Sequence, residues 1–333
     1  MDKEEGPKPL KASNLRVREA TAYEEFHFTG GIRGGRPNNC SVIFPVVRGG
    51  RVDSMQPKAR IQIVELGHAL GVSLIGVDLT YEDALKTRQW HPYLGTGIRC
   101  PSVPWGSIAY NAMESGDEEY ARISRNLATC LRAANIRIRD VSDQYHRQLV
   151  CALEQNKSDE YPFDNVALPD LHLAFHSLAS ELASARDHLA SLAGIHVNAP
   201  QKVDSLASLL AWLKKQGNED FWSHPFVEPL AIAADKASVD PWLYELSEHR
   251  NTVIHRAPMG AQIMEHFVRL KIRNSRFDQL RVLQMPLPAG RNLPAQPDAL
   301  DCYLVLYRKF LLLAGRLVAL ANYPDKPPTF KVD

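Results

Sequence analysis

The chain has 333 residues, 45% of them hydrophobic and 23% charged, enough for two domains with ample cores, and it reads as soluble and globular. A formal net charge of +1 excludes a protein that coats nucleic acid through bulk charge, so any RNA contact must come from a local patch. Cys40, Cys100, Cys130, Cys151 and Cys302 are scattered without a CxxC pair, which argues against a disulfide framework and fits free thiols in a reducing cytoplasm.

The N-terminal stretch MDKEEGPKPLKASN is charged and holds no apolar run of signal-peptide type, so a loose arm is expected. Residues from about 15 to 55 read as β structure: Cys40 to Val47 is strand-like, and Gly49-Gly50 supplies the step that a tight hairpin needs. The run from Gly30 to Arg36 (GGIRGGR) reads as a mobile glycine loop; its amides and arginines suit a phosphate, but no P-loop lysine or hydroxyl residue follows. A helix over Ala59 to Leu70, a strand over Val72 to Leu79 and a helix capped by Thr80 or Asp83 give α/β-like local order. A Pro- and Gly-rich loop is expected from Trp90 to Ser107. Then Tyr120, Ile123, Leu127, Leu131, Ala134, Ile138, Val141, Tyr145 and Leu149 keep a helical period, which typical helix lengths split in two near Asn135.

The polar segment from Gln155 to Pro169 marks a boundary: an N-terminal mixed α/β domain over 1–155, a linker over 156–168, an all-α bundle over 169–323 and a tail over 324–333. The expected class is therefore α+β overall. Within the bundle, Leu171, Phe175, Leu178, Leu182, Ala185, Leu189 and Leu192 mark a helix that stops at Gly194. Helices follow over Ser205 to Gln216 after Asp204, near Pro225 to Asp235, and over Ala299 to Ala321; the last carries Asp301, Arg308, Lys309 and Arg316, which argues against a membrane span. Between the last two helices of the bundle, Val268, Leu270 and Ile272 alternate with Arg269, Lys271 and Arg273, the pattern of a β-hairpin-like insertion with one apolar and one basic face.

The third of the four main bundle helices, the short one near Pro225 not counted, carries the reactive side chains. Asp240 suits its N-cap, Pro241 its first turn, and Pro258 and Gly260 its end, so it is expected over Pro241 to Ala257. Leu243, Leu246, Val253 and Ile254 face a core, while Tyr244, Glu248, Asn251 and His255 form a polar stripe with Arg250 at its border. Arg-Asn also occurs at Arg125, Arg273 and Arg291, but only Arg250-Asn251 is followed by a histidine five residues after the arginine. This R-N-x-x-x-H string, on a helix of a four-helix array, resembles the motif of HEPN domains, small all-α modules of which many are metal-independent ribonucleases.

The resemblance covers residues 169–323 and implies a HEPN-like bundle. It implies a cytoplasmic endoribonuclease of the toxin or phage-defence kind: His255 for acid/base chemistry, Arg250 for charge stabilisation on the phosphate, Asn251 for orientation and no cofactor. Two such motifs usually meet across a homodimer cleft, and a regulatory or antitoxin protein is a further partner. Tyr244 and Glu248 share the stripe and are candidates for tuning His255; Arg269, Lys271 and Arg273 are candidates for RNA phosphate contacts. The alternatives are an inactive HEPN-type module that binds nucleotide, RNA or a partner protein, and an N-terminal domain that holds the activity. His172 and His176 have the spacing of two metal ligands, but Leu173 stands where a zinc protease carries glutamate, so no metal is expected there.

Overall fold

A computed structural model of the chain describes residues 22–35, 42–48, 51–55, 63–81, 88–95, 98–256, 259, 267–274, 279–287, 294–295 and 297–327. The fold is mixed α+β. Six strands, β1 (Ala22–Phe28), β2 (Arg33–Gly35), β3 (Val42–Arg48), β4 (Arg51–Met55), β5 (Leu74–Tyr81) and β6 (Arg88–Pro92), form an antiparallel sheet in the order β4-β3-β2-β1-β5-β6. The pairing of Arg48 with Arg51 leaves two residues for the expected hairpin turn. The helix α1 (Ile63–Ala69) falls within the one expected over Ala59 to Leu70, of which residues 59–62 lie outside the described residues, and Gly67 gives the Phe28 ring room to pack against it.

Two expectations fail after β5. Thr80 is in the strand rather than at a helix cap, and β6 pairs with β5 in antiparallel fashion rather than in the parallel order of an α/β unit; residues 82–87, Asp83 among them, lie outside the described residues. The expected loop from Trp90 to Ser107 instead contains the end of β6 and the start of α2 (Ser102–Glu114). Pro104 is compatible with that helix because a first-turn residue needs no intrahelical N–H bond. Trp105 is fully buried, its indole N–H donating to Ala314 O at 3.0 Å.

The expected break near Asn135 is absent: α3 (Glu118–Glu154) is one helix of 37 residues, about 55 Å long at 1.5 Å per residue. No glycine or proline interrupts it, and Asp117 caps its start by accepting from Tyr120 N. Asn135 is tolerated in the core because Tyr307 Oη donates to its carbonyl oxygen and its amide donates to Cys100 Sγ. The helix ends through Asn156, whose φ of 50° is the left-handed conformation of a C-terminal cap.

From the expected linker the chain turns back so that α4 (Leu168–His196) packs along α3, and one continuous cluster of buried side chains includes residues on both sides of the expected boundary. All seven apolar positions expected on α4 are fully buried. The helix passes Gly194 and ends before Asn198, which has a φ of 51°. Then come α5 (Leu206–Leu213), capped by Ser205 and shorter than the helix expected to Gln216, α6 (Glu228–Ala234), α7 (Trp242–Asn251) and, after the hairpin, α8 (Ala299–Val318). The insertion is a two-stranded hairpin, β7 (Arg269–Asn274) and β8 (Gln279–Gln284); Asp159 and Phe163 of the preceding connection bridge to Leu270 and Val268 along its edge. Among the described residues no helix is long and apolar enough to cross a membrane.

Candidate active site

The motif helix α7 begins one residue later than expected, and Asp240 does not cap it; instead its carboxylate accepts from Lys309 Nζ of α8 at 2.6 and 2.8 Å. Buried Trp242, Leu243, Leu246 and Val253 dock the helix among α4, α6 and α8. Two polar contacts fix it to α4: Arg186 donates to Ser247 Oγ at 2.6 Å, and Met259 N donates to His176 Nε2 at 3.0 Å just beyond the motif. Burial, with His172 nearby, lowers the His176 pKa, which favours the neutral acceptor form.

At the motif the helix changes pitch. Its α-helical bonding ends at Asn251 and a π turn runs over Thr252–Arg256, so His255 lies in that turn and the continuous α-helix expected to Ala257 is not formed. Ala257, Pro258 and Gly260 lie outside the described residues, as does the His255 side chain. In an α-helix, at about 100° per residue, positions five apart diverge by about 140°. A π turn is bonded from i to i+5, so it carries the backbone at 255 back toward the side of 250. Arg250 Nη1 donates to Asn251 Oδ1 at 3.1 Å, which places guanidinium and amide together at the junction.

The stripe is less open than its polarity implies. Glu248 is buried, because α7 is enclosed by three helices, whereas Tyr244 and Asn251 are half-buried and the Lys236 ammonium lies over the Tyr244 ring. His249, which the periodicity did not single out, is buried with Nε2 3.6 Å from Cys302 Sγ, and burial lowers its pKa to about 4.

The basic strand is also more engaged than expected. Antiparallel partners share a face, so Leu280 and Val282 lie with Arg273 and Lys271, and both apolar residues are buried. Arg269 Nε donates to Gln284 Oε1 at 3.0 Å and Lys271 Nζ pairs with Glu160 at 3.2 Å, while Arg273 is exposed. On the other face Val268 and Leu270 are fully buried, but Ile272, expected to be buried, is 42% exposed beside Arg281.

Among the described residues the densest group of ionisable side chains lies elsewhere, between the sheet and α3. Glu25 and His27 project from one face of β1; Asp78 is opposite Glu25 on β5, and Arg33 is opposite His27 on β2. Arg33 is buried and donates to Ser142 Oγ, Ser142 O and Asp143 Oδ1, each at 2.9 Å. Arg88 pairs with Asp78 and reaches Asp143 at 3.3 Å. Burial pulls the Arg33 pKa down to about 10 against the pull of Asp143 and Glu25, and the neighbouring His27 ring, then Arg33, hold Glu25 near 2. Burial would raise Asp78, but His27 and Arg88 outweigh it and leave its pKa below the usual value. His146, which binds Gly31 O at 2.8 Å through Nδ1, is lowered to about 4 by burial and then by Arg33.

The sequence reading missed this group, since Glu25 and His27 look like the solvent face of an alternating strand. The available signal was the i, i+2 pair of ionisable residues in a segment otherwise rich in Phe. No family model matches the chain, and no curated protein or solved structure matches it.

Proposed function

We propose that the chain is a metal-independent endoribonuclease acting through Arg250, Asn251 and His255. The observation that carries this reading is the junction of α7 with the π turn: Arg250 and Asn251 are hydrogen-bonded at the junction, and the wider turn carries the backbone at 255 toward their side. RNA supplies its own nucleophile. The 2′-oxygen loses its proton and attacks the adjacent phosphorus, the bond to the 5′-oxygen breaks, and that oxygen takes a proton, leaving a 2′,3′-cyclic phosphate and a 5′-hydroxyl. An imidazole serves proton transfer near neutral pH, and an arginine fork stabilises charge on the equatorial oxygens. Asn251 orients Arg250 and the phosphate.

In this reading a homodimer pairs two motifs, and a toxin or phage-defence role with a regulatory partner goes with it by family resemblance alone. Arg273 is the best placed of the three basic strand residues for a phosphate contact. Purified wild type should cleave mixed RNA in the presence of EDTA, with cyclic phosphate ends. His255→Ala and Arg250→Ala should each lower cleavage at least 100-fold, the scale expected for lost acid/base or electrostatic catalysis. Wild-type rates in either variant, or 3′-hydroxyl ends, would refute the assignment. RNA binding without cleavage by wild type would support an inactive HEPN-type module instead.

A further inference from the structure

The face of the sheet that meets α3 holds a second site, independent of the ribonuclease reading: we propose that Glu25, His27 and Asp78 bind a divalent first-row metal ion. One ligand atom from each of the three lies within 4.8 Å of the other two. His27 Nε2 is 3.2 Å from Asp78 Oδ2 and 3.7 Å from Glu25 Oε2. A tetrahedral ion with bonds of ~2.0–2.1 Å to nitrogen and oxygen separates its ligands by ~3.4 Å, and the two observed distances lie either side of that value.

The second observation is the state of the imidazole. His27 is fully buried, yet among the described residues neither ring nitrogen has a directed hydrogen bond, and the same holds for Asp78 Oδ1. Buried polar atoms without such partners are rare, and of the two ring nitrogens Nε2 is the one that faces Glu25 and Asp78. Behind the ring, Nδ1 is 3.8 Å from Asp143 Oδ1, the carboxylate that commonly orients a metal-binding histidine. Trp90 covers the ring edge-on at 4.9 Å, while the Glu25 side chain is 35% exposed and leaves an approach from solvent.

Charge sets the limits. Glu25, Asp78 and Asp143 oppose Arg33 and Arg88, so the group carries one net negative charge with a neutral imidazole. The two guanidiniums weaken the attraction for a cation, and Arg88 donates to Asp78 Oδ2, so the ion must share that oxygen with Arg88. The rival occupant is a proton on His27, which would complete an ion-pair network without any metal. One imidazole and two carboxylates suit Zn2+ or Mn2+ better than Ca2+, which prefers oxygen alone, or Cu+, which prefers sulfur. An ion bound there joins β1 to β5, so its binding adds to folding stability.

The test uses the full chain, stripped with EDTA and dialysed, then titrated with ZnCl2 and separately with MnCl2. Calorimetry should give one ion per chain for at least one of the two, and the melting temperature should rise as it binds. Glu25→Gln changes the most exposed of the three ligands; it should keep the wild-type circular dichroism and bind at least tenfold more weakly, as should His27→Gln if that variant folds. Stripped wild type that binds neither ion would leave the proton as the occupant and overturn the proposal. Equal affinity in wild type and Glu25→Gln would place the ion elsewhere and overturn it as well.

Discussion

At the scale of single residues, the glycines at 30 and 31 show how a sequence signal can be real while its meaning differs. They form a buried 3-10 turn, not a loose loop or a phosphate cradle, and both have positive φ. A side chain on Gly30 would meet Val282 Cβ at 2.7 Å, and one on Gly31 would meet Tyr145 O of α3 at 2.7 Å. Neither a Cβ fixed to a strand backbone nor a helix carbonyl can move aside without shifting its backbone. Gly31→Ala should therefore cost the left-handed backbone strain of ~1–2 kcal/mol plus an overpacking cost of ~1–3 kcal/mol. Gly71 is the control, since its φ is 70° but no atom lies within 4 Å of an added Cβ. Gly71→Ala should show the strain alone, so urea denaturation should find Gly31→Ala the less stable of the two by at least about 1 kcal/mol.

At the scale of elements, periodicity located most helices because burial follows the helical repeat: all of the α4 stripe is in the core. It failed where a general expectation about length overrode the residues, as in α3, whose run lacks any helix breaker. It also failed at the motif, because a π turn depends on packing against α4 and leaves no repeat of its own. The site at Glu25, His27 and Asp78 was illegible for a different reason: strand pairing and α3 bring together groups that are far apart in the chain. The hairpin offers a test at this scale. Alternation identified its basic residues, but the cross-strand partners Leu280 and Val282 and the contacts of Arg269 and Lys271 appear only once β8 is paired. Replacing Arg269, Lys271 and Arg273 with serine should reduce the slope of log affinity for single-stranded RNA against log salt by ~0.7 per lost phosphate contact. Arg273→Ser alone should account for most of the change, because it has the most exposed of the three side chains. A wild-type slope in the triple variant would exclude this face from the RNA path.

For the whole molecule, buried ionisable groups of opposite behaviour set how stability changes with pH. Burial lowers the pKa of His146, His196 and His249 to about 4 each, so on acidification below the usual histidine value the unfolded chain takes up protons first. Their contribution is present above pH ~6.5 and is lost as the pH falls toward 4. Asp298 acts in the other direction. It is 4% exposed, accepts from Met285 N and Tyr145 Oη while capping α8, and burial raises its pKa to about 7. The folded chain therefore holds this proton more tightly, and the stability it gives is lost as the pH rises from about 4 through 7. Three histidines outweigh one aspartate through the acid range, so stability should rise from pH 4, flatten near pH 7 and change little up to pH 8. His249 is 3% exposed, and its displacement corresponds to as much as ~3 kcal/mol over the acid limb. His249→Gln should make that limb shallower, whereas Asp298→Asn, which keeps a capping oxygen, should steepen it. Urea midpoints measured at half-unit steps from pH 4 to 8 test both signs, and an acid limb unchanged by either substitution would show that these two groups do not set the acid stability of the fold.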